Sequence, residues 1–283
     1  MELQFTKMHG AGNDYVYVDC FKYKIDEPEK LSVIVSDRHK GIGADGLILV
    51  APSDTCDVRM IMYNADGSRG KMCGNGSRCV AKFAYDRGYV KNKELTLETD
   101  AGVKYITLHT GEDGKAHSAT VNMGKSVTEA SKVPVITDKK ELVLEKVSIG
   151  GREVEITCVS MGNPHCVVFT DENVKDIDLE KIGPVFENAP IFPERVNTEF
   201  VNVISSTELD MRVWERGSGE TFACGTGACA TAVAAIMAGH CKKNTDITVH
   251  MKGGDLVLRQ TDDDVVFMTG EAVEVFNGNM KVV

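Results

Sequence analysis

Short runs of β-branched, aromatic and aliphatic residues, separated by turn residues, cover most of the chain and predict many short β-strands. Residues 58–63, for example, form a run of strand length between Asp57 and Asn64. Residues 95–99 and 103–108 flank an Asp-Ala-Gly turn, and this arrangement predicts a hairpin. The other predicted strands are residues 15–19, 46–50, 166–169, 198–203, 209–214, 247–250, 255–259 and 265–268.

Helical patterns are fewer, and two of them begin after a Cys-Gly-x-Gly sequence, at residues 74–87 and 225–238. The second helix is apolar almost all round and is followed by Gly239, a natural helix stop. A helix without a polar face is buried on all sides, and a sheet wrapped around it is the simplest way to bury it. Smaller helices are predicted at residues 29–36 and 178–183.

The chain contains an internal repeat. The Cys-Gly-x-Gly sequence that begins at Cys73 recurs at Cys224, about 150 residues later, which is also a common domain size. Other pairs follow in the same order along both halves: Gly12-Asn13 with Gly162-Asn163, Tyr63-Asn64 with Trp214-Glu215, and Gly88 with Gly239. We therefore expect two similar domains, with a boundary near residue 120.

The two repeated cysteines are candidate acid/base groups. A helix N-terminus offers unpaired N–H groups and partial positive charge, so a thiol placed there is expected to be biased toward thiolate. Cys73 and Cys224 could act as a pair, one removing a proton from a carbon acid while the other adds one to the opposite face. The N-termini of the two helices would stabilise the carbanion and the carboxylate of such a substrate without metal or pyridoxal.

Polar residues near these turns suit a small charged substrate. Glu215 and Arg216 offer an ammonium acceptor and a carboxylate donor side by side. His165 could orient or deprotonate a thiol, although a lone histidine is more often structural. Four asparagines lie in turn-like contexts that turn chemistry alone would explain, namely Asn13, Asn64, Asn163 and Asn197.

Charge and apolar content narrow the function classes. The formal net charge of −10 argues against a general nucleic-acid binder, which needs a basic surface. The longest nearly uncharged apolar run, residues 228–238, is too short to cross a bilayer, and no secretory signal is visible at the start. We therefore expect a cytoplasmic protein that binds neither nucleic acid nor membranes.

The nine cysteines show neither a disulfide framework nor zinc-type spacing, so we expect free thiols and no metal site. Cys79 and Cys229 fall within the two main helices and are predicted to be core residues. The remaining five are predicted to be small buried hydrophobes, namely Cys20, Cys56, Cys158, Cys166 and Cys241.

Several motifs together resemble the diaminopimelate epimerase family over essentially the full length. They are residues 9–15 (HGAGNDY), 63–68 (YNADGS), 72–79 (MCGNGSRC), 162–165 (GNPH), 215–221 (ERGSGET) and 223–228 (ACGTGA). The resemblance implies a cofactor-free epimerase that interconverts LL- and meso-diaminopimelate in the lysine and peptidoglycan pathways. It also implies an α+β fold of two pseudo-symmetric domains, each a β-barrel-like sheet wrapped around a central helix, and a homodimer.

The resemblance also assigns domains and site residues. The N-terminal domain would be residues 1–120 with a C-terminal strand near 268–283, and the second domain residues 121–267. Cys73 and Cys224 match the catalytic thiols, which His165 and Glu215 would assist. The substrate-binding set would be Asn13, Asn64, Gly74, Asn75, Asn163, Asn197, Glu215, Arg216, Gly225 and Thr226.

Two other functions stay open. A proline-racemase-like enzyme would share the two thiols, but a small cyclic amino acid would not need the charges of Glu215 and Arg216. A redox-sensing or thiol-binding protein would instead use Cys73 and Cys224 as a disulfide pair. The substrate tested and the effect of a reductant separate these functions.

Overall fold

The computed structural model describes residues 2–281. The helices in this part of the chain are α1 (Pro28–Ser36), α2 (Gly74–Asp86), α3 (Leu179–Glu187) and α4 (Gly225–Met237). The strands of the first half are β1 (Glu2–Gly10), β2 (Asn13–Asp19), β3 (Gly46–Ala51), β4 (Val58–Asn64), β5 (Arg69–Gly70), β6 (Glu94–Thr99), β7 (Gly102–Thr110) and β8 (Ala116–Lys125).

Strands also dominate the second half, where two short 3-10 turns lie at Ala130–Lys132 and Val174–Asp176. These strands are β9 (Glu145–Ile149), β10 (Arg152–Ser160), β11 (Pro164–Phe169), β12 (Asn197–Ser205), β13 (Glu208–Glu215), β14 (Gly219–Glu220), β15 (Ile247–Met251), β16 (Gly254–Gln260), β17 (Val265–Glu271) and β18 (Val273–Lys281). The predicted α+β class is confirmed, with the sheet as its main component.

The chain divides into two compact units. Unit 1 comprises Met1–Asn122 with Thr269–Val283, and unit 2 comprises Met123–Met268. In unit 1, strand β18 pairs antiparallel with β1, which pairs in turn with β2. The last strand therefore completes the sheet that the first strand begins.

The two units share one order of strand pairing. In unit 1, β2 pairs parallel with β3, β3 antiparallel with β4, β4 parallel with β6, and β6 antiparallel with β7. In unit 2 the same sequence of pairings joins β11, β12, β13, β15 and β16. The internal repeat seen in the sequence is thus a repeat of topology.

Each unit has one helix enclosed by strands, as predicted. Helix α2 contacts β1, β2, β3, β4, β6 and β7, and helix α4 contacts β10, β11, β12, β15 and β16. In α4 every residue from Ala228 to Ala235 is buried. Small side chains let the strands approach the helix closely, and each larger one, such as Val233, adds about 1.5–3 kcal/mol of burial energy.

The glycines after the two helices end them in the same way. Gly88 and Gly239 have φ of +77° and +81°, a left-handed conformation that glycine adopts without strain. The next residue donates its N–H back to the helix in both units, Tyr89 to Ala84 O and His240 to Ala235 O, each at 2.9 Å. These glycines were paired in the sequence because both form the same helix stop.

Some elements differ from the sequence-based prediction. Strands β1, β8, β9 and β10 were not predicted, because each mixes polar residues with apolar ones, and β18 was expected only through the family resemblance. Helix α3 extends beyond Gly183 to Glu187 because tertiary packing buries Phe186 and Glu187.

The prediction of buried cysteines is wrong for Cys20 and Cys56, which are partly exposed because they lie at or beyond strand ends. It is confirmed for the other five structural cysteines, which are buried: Cys79, Cys158, Cys166, Cys229 and Cys241. Within residues 2–281, no helix combines the length and apolar character needed to cross a membrane.

Candidate active site

In unit 1 the Cys73 thiol caps the N-terminus of helix α2. Its backbone is extended, with φ −131° and ψ 120°, and its Sγ accepts a hydrogen bond from the N–H of Gly76 at 3.3 Å. This contact satisfies one of the donors that a helix start leaves unpaired. The Cys-Gly-x-Gly sequence therefore points the sulfur at the helix start.

Residues from two other segments surround this thiol. The S–H of Cys73 donates to Asn13 Oδ1 at 3.2 Å, and Asn13 Nδ2 donates to Asp45 at 2.7 Å. Tyr15, on the same strand as Asn13, is buried and places its hydroxyl beside Cys73, where it lowers the pKa of the thiol. Asn13 and Tyr15 reach the sulfur together because they lie two residues apart on β2 and so share one face.

A buried cation also lies near Cys73. The Arg78 guanidinium is fully buried and donates to the carbonyl of Glu271 at 3.0 Å and to Asn75 Oδ1 at 3.1 Å. Its positive charge lowers the pKa of Cys73. Asn64, by contrast, is exposed and donates to Ser68 Oγ at 2.9 Å, at the end of β4.

In unit 2 the Cys224 thiol caps helix α4 in the same way. Its φ and ψ are −120° and 107°, and its Sγ accepts a hydrogen bond from the N–H of Gly227 at 3.3 Å. The Thr226 hydroxyl lies 3.5 Å from the sulfur. Cys224 is the more buried of the two thiols, because Cys73 is only half-buried.

A chain of hydrogen bonds leads from Thr226 to two fully buried side chains. Asn163 Nδ2 donates to Thr226 Oγ1 at 3.3 Å, and Asn163 Oδ1 lies 3.1 Å from His165 Nε2. His165 Nδ1 lies 2.7 Å from Glu199 Oε1, and both of these side chains are completely shielded from solvent. Since both ring nitrogens of His165 have these partners, its link to the sulfur runs through Asn163 and Thr226.

Glu215 and Arg216 lie at the end of β13 but have different contacts. Glu215 Oε1 accepts from the Thr221 hydroxyl at 2.5 Å, and its carboxylate also lies near the Cys224 thiol. Arg216 Nη1 donates to the carbonyl of Glu194 at 2.7 Å, and the backbone N–H of Arg216 donates to Asn197 Oδ1 at 2.8 Å. Buried Asn197 thus fixes the backbone of Arg216.

The predicted bias of both thiols toward thiolate is wrong for this structure. Burial raises the pKa of Cys73, although Gly76 and Arg78 act in the opposite direction. Burial raises the pKa of Cys224 well above its ordinary value, and the charges of Glu215 and Glu199 raise it further. Burial also raises the pKa of Glu215. The helix-start N–H groups are present as expected, but desolvation of the charged form outweighs them.

Three neighbours of the thiols were not predicted as site residues: Tyr15, Arg78 and Glu199. Tyr15 and Arg78 stand inside the recognised motifs, so the motifs contained a signal for them. Glu199 stands in a strand-like run, where only a charged residue among apolar ones could have drawn notice. Three of the asparagines placed in turns, Asn13, Asn64 and Asn197, are instead terminal residues of strands.

Most of the chain, including both cysteine-capped helices, matches a known protein family. The family model described as "Diaminopimelate epimerase" matches residues 5–129 and 157–275. The chain belongs to the diaminopimelate epimerase family. The family consists of pyridoxal-independent epimerases of lysine biosynthesis, so the prediction of an isomerase is confirmed.

Relatives cover almost the whole chain. It is 50% identical to the diaminopimelate epimerase of Agathobacter rectalis, over 99% of this chain and 100% of the relative. It is 49% identical to that of Acetivibrio thermocellus, over 98% of each. Among solved structures, a phenazine biosynthesis protein of the PhzF family from Bacillus anthracis matches with a TM-score of 0.74 at 15% identity, covering 100% of both chains. This last likeness concerns the fold alone.

The structure also bears on whether the site has residues for a metal. Within the described residues 2–281, no group of three or more His, Cys, Asp or Glu side chains is arranged to hold a metal ion. The polar groups near each sulfur are instead hydrogen-bonded to one another, as in the Asn163–His165–Glu199 chain.

The predicted substrate-binding residues fall into two sets, one in each unit.

Proposed function

We propose that this protein interconverts LL- and meso-diaminopimelate by exchanging the proton on the α-carbon. The observation that supports this most directly is family membership over nearly the whole chain, with a cysteine cap retained at the start of each central helix. The relatives are named for diaminopimelate, and we infer that this chain acts on the same substrate in lysine and peptidoglycan precursor synthesis.

In the proposed reaction Cys73 and Cys224 act as a two-base pair. One sulfur, as thiolate, takes the α-proton from one face of the carbon, and the S–H of the other cysteine delivers its proton to the opposite face. The product leaves the first sulfur protonated and the second as thiolate, so protons and charge balance. The reverse reaction starts from that state with the roles exchanged.

Backbone N–H groups would stabilise the negative charge that develops during the transfer. The first residues of helices α2 and α4, Gly74 and Asn75 in one unit and Gly225 and Thr226 in the other, offer N–H groups to the carboxylate at the reacting carbon. The bonds from Gly76 and Gly227 to the sulfurs would favour each thiolate when it forms.

The remaining site residues would hold the distant end of the substrate or assist the thiols. We assign Asn13, Asn64, Asn163, Asn197 and Arg216 to binding of the charged groups at the non-reacting end. His165 and Glu215 would act on the Cys224 thiol, Glu215 directly and His165 through Asn163 and Thr226.

Solvent isotope exchange tests the proposal. Reduced enzyme should convert LL- into meso-diaminopimelate in D2O without added cofactor, and the product should carry deuterium at the inverted α-carbon. An active, reduced preparation that leaves the α-carbon free of deuterium would contradict proton transfer through a solvent-exchanged thiol.

Proline serves as the comparison substrate because it has no second amino-acid end. We expect exchange with diaminopimelate and none with proline, whereas exchange with proline alone would identify a proline-racemase-like activity. Activity should recover when an oxidised preparation is treated with reductant. An enzyme active only in the oxidised form would support the redox function instead.

We retain three further predictions that belong to the proposed function. The protein should work in the cytoplasm, form a homodimer, and bind neither nucleic acid nor membranes. Sedimentation of the purified chain would measure the oligomeric state, and a monomer at working concentration would contradict the homodimer.

A further inference from the structure

A buried carboxylate lies behind the Cys224 site, whereas the matching position behind Cys73 is apolar. Glu199 is fully buried on β12, where its Oε1 meets His165 Nδ1 at 2.7 Å. Among the described residues, its other oxygen, Oε2, has no hydrogen-bond partner. A buried carboxylate with one unpaired oxygen is costly to fold, so it calls for a reason beyond packing.

Strand register shows which residue takes this place in unit 1. Val16 on β2 is paired with Leu47 on β3, and the matching partners in unit 2 are Cys166 and Thr198. One residue further along the second strand stands Ile48 in unit 1 and Glu199 in unit 2. The repeat therefore has an apolar residue at this position in one unit and a carboxylate in the other.

The contacts under the two helix starts confirm that these positions are equivalent. A Cβ placed on Gly76 would lie 2.7 Å from the tip of the Ile48 side chain. A Cβ placed on Gly227 would lie 2.7 Å from Glu199 Oε1. Both side chains thus touch the third residue of the helix that the thiol caps.

The amide of Asn163 gives the direction of the hydrogen bonds between His165 and Thr226. Asn163 Oδ1 accepts a proton from His165 Nε2, so Nε2 must carry hydrogen. Asn163 Nδ2 donates to Thr226 Oγ1, which leaves the hydroxyl hydrogen of Thr226 free to point at the Cys224 sulfur. One further proton lies in the hydrogen bond between His165 Nδ1 and Glu199 Oε1. Whether this proton is bonded to the nitrogen or to the oxygen, Nε2 keeps its own hydrogen.

We propose that Glu199 is a positioning residue for the Cys224 thiol, which it orients through His165, Asn163 and Thr226. With Glu199 in place, the imidazole keeps its Nε2–H directed at Asn163, and the Thr226 hydroxyl is held as a donor to the sulfur. Without it, Nδ1 has no acceptor and the ring can rotate, so the direction of the whole chain is lost. The kinetic consequence rests on the proposed epimerase reaction, whereas the orientation of His165 does not.

Two carboxylates and two hydrogen-bond donors act on the Cys224 thiol. Glu215 and Glu199 both raise the pKa of Cys224, and Thr226 and the N–H of Gly227 lower it. Removing the Glu199 charge and removing its hydrogen bond therefore act differently on the sulfur. Two variants distinguish them, since Glu199→Gln keeps the shape and a hydrogen-bonding end, while Glu199→Ile reproduces the residue found in unit 1.

Steady-state kinetics with diaminopimelate and proton NMR of His165 form the test. We expect Glu199→Ile to lower kcat by about tenfold or more with KM within about twofold, and Glu199→Gln to recover at least several-fold of that loss. The wild-type protein should show a downfield ring N–H resonance, assigned by its absence in His165→Asn, that is lost in Glu199→Ile. Ile48→Val is the matched control on β3 and should keep both kcat and the His165 resonance.

Each outcome bears on the proposal. The proposal is overturned if Glu199→Ile keeps the wild-type kcat or leaves the His165 resonance unchanged. It is also overturned if Glu199→Ile and Glu199→Gln lose equal activity with a raised KM, a result that would point to packing alone.

If neither the wild type nor any variant exchanges the α-proton, the proposed reaction fails. The NMR result still decides whether Glu199 orients His165.

Discussion

The thiols of Cys73 and Cys224 are held by the same backbone contact but lie in different electrostatic surroundings. Each sulfur accepts one helix-start N–H at 3.3 Å. The buried Arg78 guanidinium lowers the pKa of Cys73, whereas the carboxylates of Glu215 and Glu199 raise the pKa of Cys224. The repeat therefore preserves the geometry of the cap and changes the charge around it.

The changed positions follow the register of the repeat. Tyr15 beside Cys73 takes the place that His165 takes near Cys224, and Ile48 takes that of Glu199. Such differences place two similarly capped thiols in different electrostatic surroundings. The repeat has two cysteine-capped helices, and divergence around them made the surroundings of the two sulfurs unequal.

The largest expected effect comes from removing either sulfur. Cys73→Ser and Cys224→Ser should each lower the rate of LL-to-meso conversion by at least about 10²–10⁴-fold, because a hydroxyl is a far weaker acid than a thiol. The two losses should be similar, since the proposed reaction uses both groups in every turnover. Near-normal turnover in either variant would show that the two sites do not work as a pair.

Alanine at the third residue of each helix should affect the two units unequally. Gly227→Ala places a methyl group against Glu199, which the His165 bond fixes, and we expect a cost of about 1–3 kcal/mol in the free energy of unfolding. Gly76→Ala meets the flexible tip of Ile48, which can move aside, so its cost should be smaller. The better helix propensity of alanine, worth about 0.5–1 kcal/mol, offsets part of the cost in both variants. Thermal unfolding measures both variants, and an equal or larger loss in Gly76→Ala would contradict the difference.

Removing a nearby charged side chain should shift the pKa values of the two thiols in opposite directions. Arg78→Met should raise the pKa of Cys73, because the cation that favours its thiolate is gone. Glu215→Gln should lower the pKa of Cys224, because a carboxylate that disfavours its thiolate is gone. The pH dependence of alkylation, followed at each cysteine by peptide mass spectrometry, measures both shifts.

Arg78→Lys is the control for the first variant because it keeps the charge. Its alkylation profile at Cys73 should stay closer to the wild-type profile than that of Arg78→Met. In each variant the cysteine of the other unit should keep its own profile. Shifts of the same sign at both thiols would mean that the charges do not set the difference between the sites.

The smallest expected effect is on the pH dependence of stability. Burial raises the pKa of Glu215 in the folded state above its ordinary value of 4.5. Its contribution to stability is therefore greatest below that ordinary value and is lost as the pH rises through the folded pKa. Glu215→Gln should unfold with a shallower loss of stability from acidic to neutral pH, which urea titration at several pH values would detect. An unchanged slope would place Glu215 in water rather than in the buried site.

Much of the fold followed from local sequence patterns. Helix α4 was predicted because its apolar residues run all round, and the structure buries Ala228 to Ala235. The pairing of Gly88 with Gly239 predicted equivalent helix ends, and both have positive φ. Strand β18 was expected only through the family resemblance, because alternating polar residues such as Glu274 and Asn277 hide its strand character.

The sequence by itself determined the repeat, the two cysteine caps and the family, because these depend on residues close together in the chain. Only the tertiary structure placed Tyr15 beside Cys73 and Glu199 behind Cys224, since these residues lie on strands far in sequence from the helices that the thiols cap. Arg78 lies on the helix that Cys73 caps, and packing buries it against the carbonyl of Glu271. The tertiary structure also reversed the expected pKa shift of both sulfurs. A helix start acts locally and can be recognised in the sequence, whereas burial depends on everything packed around it, and here burial is the larger effect.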